Sequence, residues 1–153
     1  MLIKYIVDED IAQYKKICMT IGFPKCSFKC GEKFCQNSPI VKMKDIEISY
    51  AAIVKRYLNN PLSEAICFQG LEPFDSPHDL FLLIEEFRKY TNDNIVIYTG
   101  YDQSEIPTYI SMLYNYKNII IKFGRYIPNQ EPHFDKILGI NLASNNQYAE
   151  KIS

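Results

Sequence analysis

The sequence predicts an α/β fold, an open, partial (β/α) barrel with a mostly parallel sheet, formed as a single domain over residues 1–153. The chain has 153 residues, of which 47% are hydrophobic and 23% charged, as in about one globular domain. Short β-branched runs alternate with segments whose apolar residues recur at helical spacing, an order typical of parallel sheets with helical crossovers. A closed barrel of eight such units takes about 250 residues, so the sheet is expected to stay open.

The predicted elements alternate along the chain, beginning with two strands that form an edge hairpin. The clearest helix carries its apolar residues on one face, with Ser76 as the expected N-cap and Pro77 in its first turn. The strands are apolar runs that stop at Gly, Asn or Pro. In chain order the prediction is strands at 2–7 and 16–22, a helix at 48–58, a strand at 65–69, a helix at 77–90, a strand at 94–98, a helix at 104–114 and a strand at 118–123.

Four polar segments follow these strands. They are the cysteine-containing loop at 24–37 and the turns at 70–73, 99–101 and 124–126. Because the carboxyl ends of parallel strands meet at one edge of a sheet, functional residues collect there. We therefore expect the four segments to face a common site.

Three of the five cysteines lie close together in the 24–37 loop. Cys26, Cys30 and Cys35 are separated by three and four residues, whereas Cys18 and Cys67 lie within apolar runs and are expected in the core. Three clustered thiolates can hold a 4Fe–4S cluster and leave one iron free for a small molecule. A structural zinc site is the alternative, although the loop has no second Cys pair and no nearby histidine. On spacing alone, Cys18 or Cys67 could replace Cys35 as the third ligand.

The turn Gly70-Leu71-Glu72-Pro73 follows a predicted strand. An ordinary strand-to-helix loop is one interpretation. Beside a cluster with an open iron, however, Glu72 offers a carboxylate that can accept hydrogen bonds from a ligand's ammonium group.

Charge and hydropathy exclude two classes of function. A net charge of −1 argues against nucleic-acid binding through a basic field. No apolar run approaches the roughly 20 residues that span a membrane, and the first 16 residues become acidic too early for a signal peptide. We expect a cytoplasmic protein.

The chain resembles the radical S-adenosylmethionine superfamily and, within it, the activating proteins of anaerobic ribonucleotide reductase. The resemblance rests first on the cysteine loop, with Asn37 after the last cysteine, and on the Gly-x-Glu-Pro turn. Three further segments are similar to those of the activases: Tyr-Thr-Gly-Tyr at 98–101, Phe-Gly-Arg-Tyr at 123–126 and Ala-Ser-Asn-Asn-Gln at 143–147. Together they run from about residue 22 to residue 147.

The resemblance implies an enzyme that cleaves S-adenosylmethionine reductively and installs a glycyl radical on a partner. The implied partner is the large subunit of an anaerobic ribonucleotide reductase or a relative, with flavodoxin or ferredoxin as the one-electron reductant. A large protein substrate would also supply the wall that a short open barrel lacks. The implied cluster ligands are Cys26, Cys30 and Cys35. The implied S-adenosylmethionine-binding residues are Phe34, Gly70, Glu72, Pro73, Tyr98, Thr99 and Gly100.

Three departures from the family's pattern leave other functions open. The family spaces its cysteines C-x3-C-x2-C, whereas Cys35 here follows four intervening residues. Leu71 replaces the second glycine of Gly-Gly-Glu-Pro, and Phe123 replaces the aspartate of Asp-Gly-Arg. The alternatives are a radical S-adenosylmethionine enzyme that modifies a peptide or a small molecule, and a non-catalytic metal-binding adaptor domain.

Overall fold

A six-stranded mixed sheet forms the centre of the molecule in the computed structural model, which describes residues 1–31, 35 and 37–153. The strands are β1 (Leu2–Ile3), β2 (Tyr5–Asp10), β3 (Cys18–Phe23), β4 (Ile46–Glu47), β5 (Ala65–Gly70), β6 (Asn94–Tyr98), β7 (Ile119–Phe123), β8 (His133–Asp135), β9 (Ile140–Leu142) and β10 (Tyr148–Lys151). The helices are α1 (Ser38–Val41), α2 (Tyr50–Leu58), α3 (Pro77–Arg88) and α4 (Pro107–Leu113), with 3₁₀ turns at Pro73–Asp75 and Gln103–Glu105.

The strand order of the main sheet is β10-β7-β6-β5-β3-β2. Neighbouring strands from β3 to β7 are parallel, whereas β2 and β10 pair antiparallel at the two edges. Over the described ranges the sheet is not closed, because β2 and β10 do not pair with each other. The predicted mixed α/β class and mostly parallel sheet are confirmed, and the curvature of a partial barrel stays a prediction.

The sheet separates two apolar layers. The larger layer lies between the sheet and helices α2, α3 and α4. The smaller layer lies on the opposite face, where Cys18, Cys67, Val96 and Ile120 pack against Leu142 of β9. Every residue of β3 and β7 is buried, as expected for strands covered on both faces. Cys18 and Cys67 are both fully buried here, as predicted.

Helix starts differ in detail from the prediction. Ser49 caps α2 by accepting a 3.1 Å hydrogen bond from the Ala52 amide. Ser76 does occupy the N-cap position of α3, but its side chain makes no capping hydrogen bond. The single helix predicted at 104–114 is divided, because Pro107 has no N–H to continue a helix and instead begins α4.

The strand prediction also needs correction at both ends of the chain. The strand predicted at 2–7 is divided into β1, which pairs with β4, and β2, which pairs with β3. The segment after β7, where the sequence analysis predicts no element, contains the β8–β9 hairpin and the edge strand β10. This segment matters for function because it covers the sheet face opposite the helices. In the described residues, no helix has the length and hydropathy to cross a membrane.

Candidate metal centre and ligand cavity

A cavity of about 450 Å³ lies where the parallel strands end. Its volume is within the range of small-molecule sites, roughly 300–1,000 Å³. The walls come from the cysteine loop, from the segments that follow β5, β6 and β7, and from the β8–β9 hairpin with the residues after it. The expected convergence of the four strand ends therefore agrees with the structure.

All three clustered cysteines line this cavity and are partly exposed. The loop turns through Phe28 and Gly31, which both have positive φ, and the Gly31 amide donates to the Phe28 carbonyl at 2.9 Å. The Cys26 sulfur accepts a 3.2 Å hydrogen bond from the Phe28 amide. The pKa of Cys30 is raised by burial and by the neighbouring Cys35 thiol. The loop thus brings the three thiols to one wall.

The donor set fits an iron–sulfur cluster. Thiolates are the ligands that such clusters take, and this cavity offers three of them. In the part of the chain that the structure describes, no three His, Cys, Asp or Glu side chains converge to hold a single metal ion. A 4Fe–4S cluster bonds each protein thiolate to a different iron, so its ligands surround a cube instead of converging on one point. Cys26, Cys30 and Cys35 all line the cavity.

Among the described residues, Glu72 is the buried carboxylate that lines the cavity, only 5% exposed. Its Oε1 accepts hydrogen bonds from the Thr99 hydroxyl at 2.9 Å and from the Phe74 amide at 3.1 Å. Its Oε2 accepts a 2.9 Å hydrogen bond from the Gly100 amide. Three donors from two neighbouring strand ends therefore fix the orientation of the carboxylate.

Burial raises the pKa of Glu72 to about 7, although its three hydrogen bonds act in the opposite direction. A carboxyl with such a pKa is partly protonated at neutral pH. A cation bound beside it would stabilise the ionised form and lower that pKa.

Two glycines of the cavity lie where a side chain would crowd its neighbours. Gly70 has a φ of +101°, and a Cβ there would lie 2.6 Å from the Phe23 amide nitrogen. Its carbonyl accepts a 2.7 Å hydrogen bond from the Asn37 side chain, which ties the end of the cysteine loop to β5. At Gly100 a Cβ would meet the Arg125 side chain at 3.3 Å and the Glu72 carboxylate at 3.7 Å.

Tyr101 joins the cysteine loop to the strand ends. Its hydroxyl donates a 2.6 Å hydrogen bond to Asp75 and lies 3.2 Å from the Ser27 hydroxyl, next to Cys26. Two cations also stand near its ring, with Lys29 Nζ at 4.6 Å and Arg125 Cζ at 5.4 Å from the centroid. The hydroxyl of Tyr101 therefore holds the cysteine loop, and its ring contacts two positive charges at the cavity.

Several hydrogen bonds, among them those to the Gly124 and Arg125 carbonyls, join the segment after β7 to the residues before β10. The Gly124 carbonyl accepts hydrogen bonds from Lys122 Nζ at 2.9 Å and from the Gln147 side chain at 3.2 Å. Gln147 also accepts from the amides of Ala143 and Ser144. The two segments at 123–126 and 143–147 are thus parts of a single wall.

Most of the predicted site residues come together in this cavity. Those that line it are Cys26, Cys30, Cys35, Gly70, Glu72, Tyr98, Thr99 and Gly100. Pro73 is buried at the start of the 3₁₀ turn and does not line the cavity. Phe34 lies outside the described residues. Cys18 and Cys67 do not line the cavity, so neither stands where it could replace Cys35. The ligand roles themselves stay predictions.

The sequence prediction missed Asp75 and Lys122. Asp75 accepts from the Ser27 amide and the Tyr101 hydroxyl, a role set by the tertiary fold alone. Lys122 left a signal in the sequence, because it is a charged residue inside an otherwise apolar β-branched run. Such a lysine in a doubly covered strand requires a polar partner.

Comparison with protein-family models matches residues 17–148 to the 4Fe-4S single cluster domain. Comparisons with curated proteins and with solved structures found no match. The matched range extends from the residue before β3 to the first residue of β10 and includes all the residues named above that line the cavity. The protein therefore belongs to the family of 4Fe-4S single cluster domains.

Proposed function

We propose that this iron–sulfur protein is a radical S-adenosylmethionine enzyme that installs a glycyl radical on a partner protein, an anaerobic ribonucleotide reductase or a relative. One observation carries the proposal. The Glu72 carboxylate, buried and oriented by three donors, lies in the same cavity as three cysteine thiols. A cavity that holds a cluster next to a carboxylate able to bind an ammonium group is suited to S-adenosylmethionine.

In this proposal Cys26, Cys30 and Cys35 hold the cluster. When bound, a 4Fe–4S cluster with one open iron would supply a coordination site for S-adenosylmethionine and the single electron that its reductive cleavage needs. The C5′–S bond breaks to give methionine and a 5′-deoxyadenosyl radical. That radical takes a hydrogen atom from a glycine Cα of the partner, which leaves 5′-deoxyadenosine and a glycyl radical. The external electron comes from a one-electron reductant such as flavodoxin or ferredoxin.

The residues of this chain bind, orient and exclude water. Glu72 accepts hydrogen bonds from the methionyl ammonium, while Thr99 and the Gly100 amide hold the carboxylate in place. Gly100 has no Cβ to crowd the Glu72 carboxylate, and Gly70 lets the end of β5 pack closely against β3. Tyr98 stands on the same wall with its hydroxyl donating to the Gln13 carbonyl, which leaves the ring for apolar contact.

The open sheet supports a protein substrate. A primary-carbon radical must be shielded from water and thiols, and the sheet ends at β2 and β10 without closing around the cavity. A loop of a large partner would complete the enclosure. We place this reaction in the cytoplasm, where such reductases and reductants occur.

The radical chemistry is tested by 5′-deoxyadenosine formation. The protein is reconstituted with iron and sulfide without oxygen, reduced with dithionite and supplied with S-adenosylmethionine. We expect product from the wild type and none from Cys30→Ala, while Cys67→Ala, a cysteine variant outside the cavity, keeps the activity. Equal product from the wild type and Cys30→Ala would contradict the proposal.

Glu72→Gln separates an enzyme from a metal-binding adaptor. The proposal expects this variant to keep its iron and to lose binding of S-adenosylmethionine, measured by equilibrium dialysis. An adaptor domain would bind no S-adenosylmethionine in either form.

A second candidate is a radical S-adenosylmethionine enzyme that acts on a peptide or a small molecule. The observation in its favour is the longer cysteine spacing, with four residues between Cys30 and Cys35. Electron paramagnetic resonance distinguishes the two after incubation with an anaerobic ribonucleotide reductase. A glycyl radical in stoichiometry with 5′-deoxyadenosine supports activation, and 5′-deoxyadenosine without a glycyl radical favours the second candidate.

A further inference from the structure

Lys4 is a buried lysine between β1 and β2, only 6% exposed. Its backbone amide donates a 2.7 Å hydrogen bond to the Gly22 carbonyl in β3. Its Nζ donates to the Val41 carbonyl at 3.1 Å and to the Met43 carbonyl at 2.8 Å. The same Nζ lies 2.8 Å from the Asp45 carboxylate. One residue thus contacts the chain on both sides of the cysteine loop.

The ammonium group of Lys4 has an acceptor for each of its three N–H donors. A buried charge is tolerated where it is paired and fully hydrogen-bonded, and these three acceptors all belong to the segment at 41–45. Residues 42–45 of that segment are exposed, so they bury little apolar surface that could hold them in place. The contacts with Lys4 therefore fix the position of the segment, together with the short ladder between β1 and β4 that follows it.

The position of this segment is transmitted to the cysteines through a short helix. Val41 is the last residue of α1, and the amide of Ser38, its first residue, donates to the Cys35 carbonyl at 3.2 Å. On the other side of the loop, Gly22 precedes Cys26 by only a few residues. The lysine therefore lies at the base of the loop, where it joins the segment that leads to the first thiol with the segment that follows the last.

We propose that Lys4 is a positioning residue for the iron–sulfur cluster, which closes the base of the cysteine loop so that the three thiols keep their spacing. Lys4 does not line the cavity, so it acts through the loop and not by contact with a ligand. The inference rests on the cluster of the family and goes beyond the proposed reaction with S-adenosylmethionine. Without the ammonium group, water can hydrate the carbonyls at 41–43, and the two ends of the loop are no longer joined by this side chain.

The test measures the release of iron from the reconstituted protein to a chelator. We expect Lys4→Met to release iron about tenfold faster or more, the value of a hydrogen bond to a charged group. Lys4→Arg keeps the charge and the N–H donors and should stay within about threefold of the wild-type rate. The electron paramagnetic resonance spectrum of the dithionite-reduced cluster should be shifted or broadened in Lys4→Met and resemble the wild type in Lys4→Arg.

Asp45→Ala and Asp8→Ala form a matched pair that does not remove the buried lysine. The two carboxylates are similarly exposed, with 41% of the Asp45 side chain and 40% of the Asp8 side chain accessible. Asp8 pairs with Arg56 at 2.7 Å, whereas Asp45 pairs with Lys4. We expect Asp45→Ala to release iron about threefold faster and Asp8→Ala to keep the wild-type rate. This comparison decides the proposal even where Lys4→Met does not fold.

Leu113→Ala serves as the comparison for a general loss of stability, because Leu113 is fully buried in α4 away from the loop. We expect this variant to melt earlier and to keep the wild-type spectrum of the reduced cluster. The same altered spectrum in Leu113→Ala and Lys4→Met would overturn the proposal, since Lys4 would then act through overall stability. Wild-type rates of iron release in both Lys4→Met and Asp45→Ala would overturn it as well. Either result leaves the proposed function intact, because that function is tested by formation of 5′-deoxyadenosine.

Discussion

The Thr99 hydroxyl donates to the Glu72 carboxylate at 2.9 Å and accepts from the Tyr101 amide at 3.0 Å. Because the Tyr101 amide donates to the Thr99 oxygen, the hydroxyl proton of Thr99 is directed at Glu72. Because the carboxylate follows β5 and the hydroxyl follows β6, the pair also joins two parallel strands beyond the end of their ladder. Glu72 is therefore oriented by tertiary structure before any ligand arrives.

Thr99→Val tests this relationship with a side chain of nearly the same shape. Removing a donor to the ionised carboxylate raises the pKa of Glu72 further. We expect binding of S-adenosylmethionine at pH 7 to weaken by about threefold to tenfold, with partial recovery at pH 8.5. Thr20→Val is the matched control. Thr20 is also fully buried, and its hydroxyl donates a 2.9 Å hydrogen bond to Asp10 outside the cavity. Equal affinities for Thr99→Val and wild type at both pH values would contradict the prediction.

The stability of the iron-free protein should depend on Glu72 between pH 4.5 and about 7. The native pKa is about 7 because of burial, whereas the ordinary value is 4.5. In this range the native state holds a proton that the unfolded state has lost, so stability falls as the pH rises. The loss amounts to about 3 kcal/mol across the window. Urea unfolding at pH 5 and pH 7.5 should show it for wild type, and Glu72→Gln should remove this part of the dependence.

Gly70→Ala should destabilise the protein by about 2 kcal/mol or more. The positive φ strains any residue with a Cβ, and the added methyl group meets backbone atoms of Gly22 and Phe23 that cannot move aside. Gly100→Ala is the matched control at the same cavity, because its nearest contact is the flexible Arg125 side chain at 3.3 Å. Denaturant unfolding should give a cost below about 1 kcal/mol for this control. Similar costs for the two variants would show that the clash at Gly70 is relieved by backbone movement.

Tyr101→Phe should make the cluster easier to remove. The change deletes the hydroxyl that contacts Asp75 and Ser27 and so weakens the connection of the cysteine loop to the strand ends. The loss of one hydrogen bond worth about 1 kcal/mol corresponds to roughly fivefold faster release of iron to a chelator. Tyr116→Phe serves as the control, since its hydroxyl donates to Glu85 at 2.9 Å on the surface. The prediction fails if both variants release iron at the wild-type rate.

Local pattern was sufficient for the central elements. The run at 94–98 is bounded by turn residues and β-branched inside, and the structure has β6 over the same residues. Convergence at the cavity was predictable too, because it follows from parallel strands whatever their detailed packing.

Features that depend on contacts between residues far apart in the chain could not be predicted from the sequence. β10 is short and contains charged residues. It forms because it can pair with the edge of β7, where Tyr148 lies opposite Phe123, 25 residues earlier in the chain. The donors around Glu72 likewise include Thr99, whose proximity results from the pairing of β5 with β6. Lys122 was missed for a different reason, since one charged residue does not change the apolar pattern by which the run IIIKF predicts a strand.

The sheet's free edge at β2 ends in three consecutive acidic residues, Asp8, Glu9 and Asp10. An unpaired strand edge is a template for aggregation, and charged side chains on it oppose the addition of another chain. A second copy that paired in parallel would set carboxylate against carboxylate. A copy that paired antiparallel, with Asp10 opposite Tyr5, would set the three carboxylates against Tyr5, Ile6 and Val7. An open sheet can thus keep one side accessible without inviting self-association through that edge.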